Sequence, residues 1–207
     1  MYKRLDGDTL NKLLEAGIGE FAEKGFDKAN IADIAKKSGL SVGVMYKYYK
    51  DKDDFFISCV RHSLELLNEV MDELTDESNG LIGNMEITLR RLVEHARKHT
   101  EYYVMYHEIT AGGCRKFAPQ LAKEIESVTS TVYSKLIGDA KAKGLVRQDI
   151  DPNMFAFFFD NLLMMLQFSL SCEYYRERMK IYCNGEPTDE MLVKELLKFM
   201  YAALGIK

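Results

Sequence analysis

Apolar residues recur three and four positions apart along most of this chain, and proline stands at only three places, 119, 152 and 187. That spacing puts apolar side chains on one face of a helix, and no run alternates with the period of two that a strand needs. The chain therefore reads as all-α. With 47% hydrophobic residues in 207, it holds enough apolar material for one sizeable core or a small domain docked on a larger one.

Cap and breaker residues mark the elements. A first helix is expected from about Asp8-Thr9, with Leu10, Leu13, Leu14, Ile18 and Phe21 on one face and Gly25 as its stop. Asn30 is a good cap for a short second helix, Ser41 for a third and Asp51 for a fourth that runs towards Leu74. Thr75–Gly80 reads as a linker. Further helices are expected over Leu81–Lys98, Glu101–Thr110 and Phe117–Lys143, with Ala111-Gly112-Gly113 as a break. Asp151-Pro152 opens a helix that should run to about Tyr182, and Glu186-Pro187 opens the last, which ends at Gly205. There is no internal repeat.

Charge is uneven. Residues 1–52 carry ten Lys or Arg against eight Asp or Glu, while the whole chain has a net charge of −4. A nucleic-acid face at the N-terminus and an acidic body fit this balance. No secretory leader is read at the start, and the four scattered cysteines suit reduced thiols, so a cytoplasmic location is expected. The apolar stretch Met154–Leu170 is interrupted by Asp160, Asn161 and Gln167, which favours a buried helix over a membrane span.

Residues 30–49 carry the function. They read as two short helices joined by Ser38-Gly39-Leu40-Ser41, where Gly39 can take the positive φ of a tight turn. The first turn of the second helix is small, Ser41-Val42-Gly43-Val44, so its backbone can approach a groove floor. Its end, Tyr46-Lys47-Tyr48-Tyr49-Lys50, offers hydroxyls and ammonium groups to phosphates. Lys52 begins the next helix, where its charge opposes the helix dipole, a placement that suggests an external anion.

The run Gly25-Phe26, Asn30-Ile31-Ala32-Asp33-Ile34-Ala35, Gly39 to Tyr49 and Lys52 resembles the N-terminal domain of tetracycline-repressor (TetR) family regulators, over roughly the first 55–60 residues. The resemblance implies a three-helix helix-turn-helix DNA-binding domain, residues 1–52, and a larger helical domain for ligand binding and dimerisation, residues 53–207. It implies that Asn30 caps the second helix beside a phosphate, that Val42, Gly43 and Val44 face base edges, and that Tyr46, Tyr48 and Lys52 hold the backbone. The family often has a polar or basic residue at the place of Val42, Thr at that of Val44 and His at that of Tyr48. An apolar Val42 cannot donate a hydrogen bond, so readout there is by a thymine methyl or by shape.

The same resemblance implies a homodimer on a palindromic operator. Two half-sites about 34 Å apart need two reading helices. By analogy with the family's four-helix seam, Phe158, Leu162, Met165, Leu166 and Ser169 on one helix and Leu192, Leu196, Phe199 and Met200 on the last are its candidates. Which face of residues 154–182 is seam and which is core stays open. Tyr102, Tyr103, Tyr106, His107, Tyr133, Phe155, Phe159 and Met164 are candidate pocket residues, since aromatic and Met side chains make adaptable walls. A hydrophobic small-molecule inducer is expected. A fatty-acyl or bile-acid-like molecule with its carboxylate near Arg90, Arg91 or Arg115, and a cation resting on aromatic faces and an acid, are both open.

Other chemistry is weak. His95 and His99 share a helix face, but Ala96 follows His95 and the HExxH pattern fails, so no metal is expected. Gly17-Ile18-Gly19 is no dinucleotide loop, and nothing marks an enzyme or a bound cofactor. The expected function is a DNA-binding repressor released by ligand. The competing reading is a helical dimeric interaction module without DNA binding.

Overall fold

A computed structural model describes residues 5–73, 80–109 and 112–206. Among them there is no strand. The helices are α1 (Gly7–Lys28), α2 (Ile31–Lys37), α3 (Val42–Tyr48), α4 (Lys52–Glu73), α5 (Gly80–Lys98), α6 (Thr100–Glu108), α7 (Ala118–Ala142), α8 (Pro152–Ser171), α9 (Glu173–Cys183) and α10 (Asp189–Leu204). A 3-10 turn, Gly112–Phe117, precedes α7. The linker expected at 75–80 lies, apart from Gly80, outside the described residues, as does Ala111.

Two compact units divide the chain. The first takes residues up to 66 together with 101–121, and the second takes 67–100 with 122–207. This is not the linear division at residue 52, and the reason is packing. Phe55, Phe56 and Cys59 of α4 are buried in the same core as Leu13, Ile18 and Phe21 of α1, Ile34 of α2 and Met45 of α3. Phe117 from the 3-10 turn meets Phe26 edge-on, with centroids 5.5 Å apart, and stacks near Phe56. Gly17 lets α4 come close, because a Cβ there would stand 2.6 Å from the Phe55 ring and 2.7 Å from Cys59 Sγ.

Local caps set the first unit's helices. Asp6 accepts from Thr9 N at 2.8 Å, which starts α1 slightly before Asp8. Gly25 breaks the helical path with φ 71°. A buried carboxylate then joins α1 to α2. Glu20 accepts from Lys24 at 2.7 Å, from Lys37 at 2.8 Å and from Asn30 N at 3.3 Å. Burial alone would raise its pKa, but these donors outweigh burial and bring it from 4.5 down to about 2.

In the second unit α8 packs against α5 and α9, and α5 against α10. Met85, Leu89 and Val93 of α5 are buried, as are Ala156, Phe159 and Leu163 of α8 and Val193, Leu197 and Met200 of α10. Arg90 clasps Glu190, and Arg97 pairs with Asp189 at 2.9 Å, along the α5–α10 contact. Pairs this exposed add little beyond register.

Two expected boundaries are corrected. The helix expected to run unbroken to Tyr182 is two, because Cys172 is extended, with φ −97° and ψ 133°. Its break is held by tertiary bonds. Ser171 Oγ donates to Ala96 O of α5 at 3.3 Å, and Arg176 donates to the carbonyls of Leu170 and Ser171 at the end of α8. The last helix starts not at Pro187 but at Asp189, since Thr188 accepts from Met191 N and two acids, Asp189 and Glu190, fill the first turn.

Candidate functional site

The helix-turn-helix builds itself from short-range bonds. Asn30 Oδ1 accepts from Ala32 N at 2.8 Å and caps α2. Leu40 N donates to Ala35 O at 2.8 Å, which closes the turn, and Gly39 sits at φ 72°. Ser41 Oγ accepts from Val44 N at 3.3 Å and starts α3. On α2, Ala35 is buried and Ala32 is exposed.

Helix α3 is anchored by Met45, which is 1% exposed. Val42, Gly43, Tyr46 and Lys47 then share the outer side, at spacings of one, four and five residues, and all four are exposed. Tyr48 is exposed at the helix end, while Val44 is half-buried beside the anchor. This outer face contains no acid.

Gly43 has no internal explanation. A Cβ there would meet only Ser41 Oγ, at 3.9 Å, which is ordinary contact, and its φ is not positive. Glycine inside a helix costs about 1 kcal/mol against alanine. The space it keeps clear is on the outside of the molecule.

One expectation about this face changes. Lys52 Nζ donates to Asp27 O at 3.2 Å and lies 4.9 Å from the centroid of the Phe26 ring. Its place against the helix dipole is thus accounted for inside the fold, and no external anion is needed to explain it. Burial lowers its pKa, partly offset by Asp27 and Asp53.

The candidate pocket residues are divided between the two units. Tyr102, Tyr103, Tyr106 and His107 belong to the first unit, and Tyr133, Phe155, Phe159 and Met164 to the second. The Tyr102 hydroxyl donates to the Glu15 carboxylate of α1, which also lies 3.2 Å from His62 Nε2 of α4. Tyr133 and Phe159 pack edge to face, 5.0 Å apart, both buried. Met164 lines a half-open hollow of about 640 Å³ between α7 and α8, with Glu126, Ala156, Phe157 and Asp160. In the sequence Asp160 shows only as an interruption of an apolar run. A lone acid in such a run was the available signal.

The α8 and α10 candidates separate by burial. Phe158 and Phe199 are exposed by 58% and 59%, Met165 by 38%, and Leu162, Leu166, Leu192 and Leu196 are half-buried. Ser169 and Met200 are instead enclosed within their own chain, where Ser169 Oγ donates to Met165 O at 2.8 Å. Taken alone, α8 is long and apolar enough to cross a membrane. Its inner face, with Phe159 and Leu163, is nevertheless buried against protein.

A capped helix-turn-helix with an acid-free outer face, carried by an all-helical chain, defines a DNA-binding transcriptional regulator. Residues 13–59 match the model of the bacterial regulatory proteins, tetR family. The chain is 25% identical over 211 residues to the HTH-type transcriptional regulator YvdT of Bacillus subtilis strain 168, covering 99% of each. Its fold is similar to the fatty acid degradation regulator FadR from Bacillus halodurans, with TM-score 0.73 and 16% identity over 96% of each chain. It is also similar to AibR in complex with isovaleryl coenzyme A and operator DNA, with TM-score 0.69, 17% identity, and 92% of this chain and 97% of that one covered. Together these likenesses support reading the chain as a TetR-family DNA-binding transcriptional regulator, with the family's DNA-binding domain at residues 13–59.

Proposed function

We propose that the protein is a cytoplasmic homodimeric repressor that binds a palindromic operator and is released from it by a hydrophobic small molecule. The observation that carries the reading is the pairing of an exposed reading helix in the first unit with a ligand-sized hollow in the second. AibR, of similar fold, is described with both an acyl coenzyme A and operator DNA, which supports the same two-handed use here.

In this reading α3 lies in the major groove. Val42 and Gly43 meet base edges, Val44 flanks them, and Ser41 and Asn30 sit at helix starts beside the backbone. Tyr46, Lys47 and Tyr48 reach phosphates, and Lys52 supports that wall from behind through Phe26. The exposed residues of α8 and α10 join two copies so that two α3 helices reach successive grooves. DNA reading centres on residues 1–52, sensing and dimerisation on 53–207, with residues 53–66 and 101–121 packed as the reading head's support. Ligand binding favours a state whose reading heads no longer match the operator.

A gel-shift series with DNA from upstream of the protein's own coding region tests it. Lys47→Ala should weaken binding about tenfold or more at low salt and reduce the slope of log affinity against log salt by about two, one phosphate contact from each copy. Tyr46→Phe should weaken binding to all sequences alike. Duplex binding that ignores both changes removes α3 from the interface.

A further inference from the structure

We infer that the facing acids Glu126 and Asp160 couple the association of two copies to pH, so that the dimer forms with uptake of protons into the hollow between α7 and α8. The inference rests on the dimer reading above and adds a regulation to it.

The hollow and the proposed seam share a helix face. Met154, Phe158, Asn161 and Met165 follow one another at four, three and four residues, which is one stripe of α8. Met154, Phe158 and Met165 are exposed there, and Asn161 lines the hollow. A second copy seated on the stripe therefore roofs the hollow. What it roofs carries charge of one sign. Glu126 from α7 and Asp160 from α8 are the only charged groups along the lining, and the remaining polar edge is Ser, Thr and Asn. Helices α5 and α9, which pack on α8, add no residue to it. Tyr133 of α7, also ionisable, is buried edge-on to Phe159 and does not line the space. On α10 the charges beside the seam candidates are Lys194, Glu195 and Lys198, and Lys198 pairs with Glu195 at 2.6 Å.

Two carboxyl groups that share a hydrogen bond ionise together only at a cost, and the cost grows as water leaves. Asp160 is already pushed up to about 7, first by burial and then by the Glu126 charge and the hydrogen bond between them. The stripe that meets the second copy is apolar apart from Asn161. Roofing thus removes water from the pair without supplying a cation, and favours the singly protonated form further. Each copy takes up part of a proton as the dimer forms. At acid pH the pair holds its proton in either state, and association is insensitive to pH. From about 7 upward the single copy loses the proton that the dimer keeps, so association weakens as pH rises.

Dimer dissociation of the full chain is read by sedimentation over a dilution series at several pH values, with a fixed level of urea where dilution alone does not part the copies. The dissociation constant should rise about tenfold or more between about pH 7 and 8.5, and much less between about 6 and 7. Asp160→Asn cannot ionise, and should hold the constant to within about twofold over the same range. Glu126→Gln removes the like-charged neighbour and should move the window to lower pH. Circular dichroism should show native helix content in both variants. A dimer that ignores pH, or whose pH dependence survives Asp160→Asn, overturns the coupling and leaves the dimer standing. Association that tightens as pH rises overturns it as well, and would place a lysine of the second copy in the hollow. A monomer at every pH and concentration overturns the dimer reading, and the inference with it.

Discussion

Helices α3 and α8 both leave apolar side chains in water, and they do so in opposite ways. The outer face of α3 is small and mixed: Val42, a bare Gly43 backbone, then Tyr46 and Lys47. That of α8 is large and oily, with Met154, Phe157, Phe158 and Met165 exposed. A thin face followed by hydroxyl and ammonium groups suits a grooved polyanion, where contact is mostly polar and water-rich. Bulky aromatic and thioether side chains gain most from a dry, close-packed partner. Exposure by itself therefore says little about what binds; the size and chemistry of the exposed groups decide.

The comparison can be broken at its oily end first. Phe158→Glu places a charge in the proposed seam. Sedimentation should show a monomer with native helix content, and operator affinity should fall by about a hundredfold or more, since two half-sites are then bound independently. An intact dimer with this change would remove α8 from the seam.

Smaller is the effect of the strut that holds the reading head. Glu20→Ala strips Lys24, Lys37 and Asn30 N of a buried acceptor, and should cost about 2 kcal/mol in denaturant unfolding. The sign with pH follows from the lowered pKa. The folded carboxylate holds its charge down to about 2 against an ordinary 4.5, so its stabilisation is complete above 4.5 and fades as pH falls from there towards 2. The gap between wild type and Glu20→Ala should close over that window. A constant gap would show that the ion pairs are not its source.

The smallest change sharpens the thin end. Gly43→Ala should raise stability by about 0.5–1 kcal/mol, because helix propensity improves and the added Cβ meets nothing closer than 3.9 Å. The same methyl should weaken operator binding several-fold. Gain in both stability and binding would mean that the bare backbone serves no contact.

Much of the reading head was legible because its signals are local. Asn30, Ser41 and Asp51 each cap within two or three residues of themselves, and a cap announces itself in the sequence. The break at Cys172 was not legible. No glycine or proline marks it, and the bonds that hold it come from Ala96 on α5 and from Arg176 beyond it. Lys52 misled for a similar reason: its partners, Asp27 O and the Phe26 ring, are some 25 residues away along the chain.

By itself the sequence determined that this chain is helical, where most of its helices start, and that a short pair of them is shaped for DNA. Those outcomes depend on periodicity and on hydrogen bonds between near neighbours. Only the tertiary structure decided which side of α8 is inside, that Ser169 and Met200 belong to their own chain's interior, and that Glu126 and Asp160 meet in one hollow. Residues 34 positions apart find each other through the packing of whole helices, and no local rule of spacing carries that information.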